Sequence, residues 1–207
     1  MPTGLVASFG HALRGLVEVT ARERNMKIHV LAGTGVGLAG AELLLPLAAR
    51  LALVLAVVLV VAAEMGNSAL EALVDLHTRE LRDEARRVKD AAAGGVLVLA
   101  VGAVLVALAV AAGNFDLVQT ALHRRGVHLV LAAGVLLLQG FLLFGRSRSG
   151  LLDGIAIAVG AVLVSFLGFN GQSSALSLTA ALLFALSAGA AMAQRSEDEG
   201  SERDGGW

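Results

Sequence analysis

Four residues of one stretch hold the most specific chemistry in this sequence: Glu64, Asn67, Glu71 and Asp75, in "VVAAEMGNSALEALVDLHTRELRDEARRVKD". They are spaced three, four and four residues apart. At about 100° and about 1.5 Å per residue, a helix lays them on one stripe roughly 80° wide and about 16 Å long. The stripe follows a long apolar run, so its first members stand inside a membrane or at its edge. An ionised carboxylate there costs at least a few kcal/mol unless it is paired, hydrated or bound to a metal. Three of them on one stripe require positive partners. Arg22, Arg24 and Lys27 surround Glu23 upstream, and Arg79, Arg82, Arg86, Arg87 and Lys89 follow downstream. Two magnesium ions, or magnesium carried by ATP, would satisfy several carboxylates at once. The basic residues would then meet phosphates.

The elements that must position these groups are membrane helices. Of 207 residues, 57% are hydrophobic and 16% charged, and the mean hydropathy is +0.78. That composition marks an integral membrane protein. A net charge of -1 gives no global basic field for nucleic acid. Cysteine is absent, which excludes disulfide frameworks and thiolate metal sites. Ser8, His11, Arg14 and Glu18 interrupt the first residues, so no signal-peptide core is expected there.

Leu5, Val6, Phe9, Ala12, Leu13, Leu16 and Val17 recur at helical spacing, opposite His11, Arg14 and Glu18. This predicts an amphipathic helix lying on the membrane surface. Six apolar segments follow: Ile28 to Leu45, ended by Glu42 and Pro46; Leu47 to about Ala63, with helical pattern running on to Asp75; Ala91 to Ala112; His128 to Phe144; Leu151 to Phe169; and Ala175 to Ala193. Each is about long enough to cross a bilayer. With the N-terminus inside and six alternating spans, only Arg50, Arg124 and Arg125 of the 16 basic residues face outside. The positive-inside rule then favours both termini in the cytoplasm. The polar tail "QRSEDEGSERDGGW" reads as disordered. The division expected is 1–113, 114–194 and a tail of 195–207.

"GVGLAG" (Gly35, Gly37, Gly40) has the spacing of a dinucleotide fingerprint but lacks its strand and helix N-terminus. Inside a membrane segment, Gly33, Gly37 and Ala41 form a small-xxx-small ridge for helix packing. The five histidines show no metal-ligand spacing. The Gly-Asn and Gly-Gln steps around Asn170 read as a turn.

The ordered set "ERNMKIH", "EMGNSALEALVD" and "RRVKDAAAGG" resembles the prokaryotic diacylglycerol kinase family over about Ala7 to Ala112. The "ERNMKIH" form is more similar to the undecaprenol kinase branch. The resemblance implies a surface helix and three transmembrane helices per protomer, a homotrimer, and transfer of the γ-phosphoryl group of MgATP to the hydroxyl of a membrane lipid. By motif position, Glu64 resembles the catalytic base, and Glu23 and Glu71 the magnesium-binding carboxylates. Asn67, Glu71, Asp75, Lys89 and Asp90 resemble residues of the nucleotide and phosphate site, with Glu80 a further position near the nucleotide. The implied setting is a bacterial cytoplasmic membrane with the site facing the cytoplasm.

The fold expected is therefore all-α and membrane-embedded: a surface helix, a three-helix kinase core, and about three more C-terminal spans. Those last spans hold Asp153 as their only acid and lack the Arg- and His-rich motifs of a lipid phosphatase. They read as an accessory module for packing or partner binding. A competing reading makes the acidic stripe an ion or proton path through a transporter. The stripe gathers at one membrane face, which suits a site open to cytoplasmic ATP.

Overall fold

The computed structural model describes residues 4–77, 83–145 and 149–204, and among these there is no strand. Its helices are α1 (Leu5–Arg22), α2 (Arg24–Ala41), α3 (Leu47–His77), α4 (Asp83–Gly113), α5 (Phe115–Arg124), α6 (Gly126–Phe144), α7 (Gly150–Asn170) and α8 (Ser174–Asp204). Leu5, Val6, Phe9 and Leu13 of α1 are exposed, as a helix lying on lipid requires.

Five helices, α3, α4, α6, α7 and α8, are long and apolar enough to span a membrane. α2 falls short on composition because it opens with Arg24, Asn25, Lys27 and His29. It is nevertheless coextensive with α6. At one end Glu42, just past α2, bonds Arg125, just before α6, at 2.7 Å. At the other, Lys27 and Phe144 line the same cleft. α2 thus covers the same thickness as a helix that qualifies as a span. It stops at Ala41, short of the expected Leu45, and a turn carries the chain to Leu47. Pro46 disfavours helix in the residue before it, and Glu42 takes an ion pair at that turn.

α2 and α8 form the centre of the packing: α2 touches α1, α3, α6 and α8, and α8 also reaches α1, α3, α6 and α7. Lipid tails are as apolar as leucine, so helices associate through close contact and internal hydrogen bonds rather than hydrophobic expulsion. Glycines supply the close contact. A Cβ on Gly37 would lie 3.0 Å from the Ala180 Cβ and 3.0 Å from the Leu176 carbonyl oxygen of α8. Gly33 presses on Val57 and Leu183, and Gly40 on Leu176 and Leu53. The ridge expected at Gly33 and Gly37 therefore exists, and α8 occupies it. A buried polar set crosses the same seam: Gln139 Nε2 of α6 donates to Thr34 Oγ1 at 2.9 Å and to Ser187 Oγ at 2.8 Å. Gly37→Leu is expected to destabilise the fold by about 1–3 kcal/mol through overpacking against backbone. Gly10→Ala, at a site with nothing nearby, is expected to be neutral or slightly stabilising. Thermal unfolding in detergent compares the two.

Two segments differ from expectation. The connection before α6 contains a short amphipathic helix, α5. Residues 195–204, whose polarity reads as a disordered tail, continue α8 as helix. Gln, Arg and Glu are good helix formers. Arg195 bonds Glu199 at 2.6 Å one turn on, and Glu197 is held by Arg22 of α1 at 2.8 Å.

Candidate active site at the polar end of α3

α3 has 31 residues. At about 1.5 Å per residue it is about 46 Å long, roughly 16 Å more than a hydrocarbon core. About 20 residues from Leu47 cross that core, which brings Glu64 and Asn67 to its far edge. Glu71 and Asp75 lie about 10 and 16 Å beyond Glu64 along the axis. Burial follows the same gradient. Glu64 is 2% exposed and Asn67 8%, Glu71 is half-buried and Asp75 exposed. The spacing that put these residues on one stripe is kept by an unbroken helix.

The stripe is partly wired together. Asn67 Nδ2 donates to Glu71 Oε1 at 2.9 Å, which orients that carboxylate. Lys89 Nζ of α4 donates to Asp75 Oδ1 at 2.5 Å. This bond ties the projecting ends of α3 and α4 and brings two predicted nucleotide-site residues together. Asp90, also predicted there, is exposed and faces Arg86 of its own helix at 3.7 Å. Glu80 lies outside the described residues, as do Arg79 and Arg82.

Glu23 arrives from a different element. It is the break between α1 and α2, in extended conformation at φ -85°, ψ 121°. Its N–H still donates to Val19 O at 2.8 Å and its carbonyl still accepts from Lys27 N at 3.2 Å. The chain bends there without leaving either backbone group unpaired. The bend puts Glu23 close enough to Glu64 for its charge to act on it, as that of Glu71 does.

Three acids therefore share one neighbourhood, and among the described residues no ion pair reaches Glu64. Several of the expected basic partners are engaged elsewhere. Arg22 bonds Glu197 at 2.8 Å and Glu18 at 3.3 Å, which holds its guanidinium more firmly protonated than usual. Arg87 takes Glu84 at 3.4 Å, and Arg24 and Lys27 line a cleft against α6, α7 and α8. Glu64 Oε2 and Asn67 Oδ1 are buried with no hydrogen-bond partner, and such atoms are costly unless something binds them.

Among the described residues no group of three carboxylates or imidazoles forms a ready-made metal cage. Magnesium does not require one: it commonly takes one or two carboxylates and completes its shell with water and substrate phosphates. Hard oxygen donors gathered without a cation fit that mode.

A second polar cluster, unforeseen as a unit, closes the opposite end of α2. The Glu42 side chain is 1% exposed and accepts from Arg125 Nη1 at 2.7 Å, with His128 Nδ1 at 3.0 Å. The same Arg125 nitrogen donates to Asn170 O at 2.8 Å. The signal was present: one acid at the end of one span, and an arginine pair against the charge bias at the outer ends of others.

A bundle of membrane helices with carboxylates and an amide gathered at one mouth, partly unsatisfied, is the class of protein these features define. Residues 10–111, from α1 to the end of α4, match the family model of prokaryotic diacylglycerol kinase. Over 103 residues the chain is 39% identical to a diacylglycerol kinase of Synechocystis sp., covering 49% of this chain and 59% of that protein. Over 101 residues it is 36% identical to an undecaprenol kinase of Bacillus subtilis, covering 49% of this chain and 82% of that one. No solved structure gives a significant match. The chain belongs to the prokaryotic diacylglycerol kinase family.

Proposed function

We propose that the chain is an ATP-dependent lipid kinase that transfers the γ-phosphoryl group of MgATP to the hydroxyl of a membrane lipid, undecaprenol or diacylglycerol. The observation that carries this is Glu64: a buried carboxylate at the hydrocarbon edge, within the field of Glu23 and Glu71 and without a cation among the described residues. A lipid hydroxyl emerges from the hydrocarbon at that depth.

Phosphoryl transfer needs positioning and charge neutralisation more than covalent help. Glu64 accepts the proton of the lipid hydroxyl as its oxygen attacks the γ-phosphorus, and ADP leaves. Glu23 and Glu71 hold magnesium, which when bound neutralises charge on the phosphates. Asn67 fixes the Glu71 carboxylate through its 2.9 Å bond. Asp75, Lys89 and Asp90 line the nucleotide end, and the Asp75–Lys89 bond keeps that end together; Glu80 is assigned there by motif position alone.

In this reading residues 1–113 form the kinase unit and 114–194 an accessory module. Kinase units assemble as a homotrimer through the outward faces of α3 and α4, since α8 and α6 already cover α2. The protein sits in the bacterial inner membrane with the stripe facing the cytoplasm. The surface helix, the α1–α2 junction and the end of α8 share that face.

The test is an acceptor screen with labelled ATP on the purified full chain in micelles, with undecaprenol and diacylglycerol in parallel and with magnesium present or chelated. Magnesium-dependent label in one lipid is expected. No label in either, with ion flux in vesicles instead, would favour the transport reading.

A further inference from the structure

The accessory helices contribute no acid to the stripe, yet α8 is bonded to the junction that carries Glu23. We infer that Gln194 of α8 is a positioning residue for Glu23, an inference that rests on the magnesium role proposed above.

A helix break strands the last carbonyls of the helix before it. Ala21, two residues before Glu23, is 5% exposed, and a buried carbonyl left unpaired is costly. Its donor comes from outside the kinase unit: Gln194 Nε2 donates to Ala21 O at 2.5 Å. Two further contacts flank this bond. A Cβ on Gly189 would come within 3.3 Å of Val17, so α8 runs tight beneath the last turns of α1. Glu197 bonds Arg22 at 2.8 Å. α8 thus grips α1 at Val17, Ala21 and Arg22, and the next residue is Glu23.

What lies around those contacts makes them matter. A cleft of about 1100 Å³, lined by Arg22, Arg24, Lys27, Asp153, Gln194 and Arg195 among others, opens between the junction and α6, α7 and α8. The junction is not backed by a continuous packed surface on that side. The Arg22–Glu197 pair is solvent-exposed on both sides, so it holds position weakly. Gln194 is half-buried and makes the neutral, directional bond. Removing its donor frees the end of α1 to shift, and Glu23 shifts with it. Groups hydrogen-bonded directly to a metal ligand are typically worth about 10–100-fold in metal affinity; Gln194 acts through the backbone two residues from Glu23, which places its effect at the low end of that range.

The experiment uses the full chain in micelles. Mn²⁺, as a magnesium substitute, is titrated by electron paramagnetic resonance without ATP, and the Mg²⁺ dependence of lipid phosphorylation is measured in parallel. Gln194→Glu keeps the size and cannot donate when ionised. It is expected to weaken Mn²⁺ binding about tenfold and to raise the half-saturating Mg²⁺ by a similar factor, with kcat at saturating Mg²⁺ close to wild type and the thermal midpoint modestly lowered by the unpaired Ala21 carbonyl. Gln194→Lys keeps a donor and is expected to restore both. Unchanged Mn²⁺ affinity in Gln194→Glu overturns the inference, as does a loss of kcat that excess Mg²⁺ does not recover. If the wild type binds Mn²⁺ but phosphorylates no lipid, the kinase reading fails while the Gln194 effect is still read from Mn²⁺ alone.

Discussion

Glu64→Gln is expected to lower lipid phosphorylation by at least about 10²-fold, within the range a general base contributes. The amide keeps the size and removes the proton acceptor. Because Glu64 is buried beside Glu23 and Glu71, neutralising it also removes like-charge repulsion. The variant is therefore expected to fold as well as the wild type or better, and to bind ATP. Loss of kcat with an unchanged KM for ATP separates a base from a binding residue. A thermal midpoint that falls together with activity would instead make Glu64 a structural group. Normal rates would remove it from the mechanism.

The second large effect is on stability, at the other end of α2. Arg125→Ala leaves the Glu42 carboxylate buried with only His128 against it, and breaking a buried pair by removing one partner costs about 3–5 kcal/mol. Glu42→Met with Arg125→Met is expected to recover most of that loss, since exchanging a whole buried pair for apolar side chains is often neutral. Thermal unfolding of Arg125→Ala, Glu42→Met, Arg125→Met and the double variant in one detergent decides it. Additive losses in the double variant would show that Glu42 and Arg125 act independently. Neither residue belongs to the stripe, so phosphorylation by the surviving folded fraction is expected to match the wild type.

The cluster also explains a flaw in the charge pattern. The expected topology leaves Arg124 and Arg125 on the face that the positive-inside rule keeps poor in arginine. Arg125 is there to neutralise Glu42 and to cap α7 through Asn170 O. A rule that counts charges by loop has no access to a pairing 83 residues apart.

Local features were the legible ones. The stripe rests on helical periodicity alone, and α3 keeps that periodicity without a break. The Gly33–Gly37 ridge was readable because small residues at four-residue spacing have one main use in a membrane helix. Its partner was not, since any of several apolar helices fitted, and α8 is the one that lies there. α2 shows the limit of composition. Its charged first turn disqualifies it by hydropathy, while an ion pair at one end and a shared cleft at the other set it alongside α6 over that helix's length. Of the basic residues expected to serve the stripe, Lys89 meets Asp75, while three others pair elsewhere for reasons a span-by-span reading does not see. Arg86 and Arg87 find acids one turn away on their own helix, and Arg22 is taken by Glu197 from the far end of the chain. Glu23 was placed by motif order, but its approach to Glu64 depends on a bend that no periodicity announces.

One measurement bears most directly on the central claim: transfer of label from γ-labelled ATP to extractable lipid in vesicles holding the purified full chain, with wild type and Glu64→Gln side by side. Label entering the organic phase with the wild type and nearly absent with Glu64→Gln is the predicted result. Equal label from both proteins, or label released only as inorganic phosphate, would contradict it.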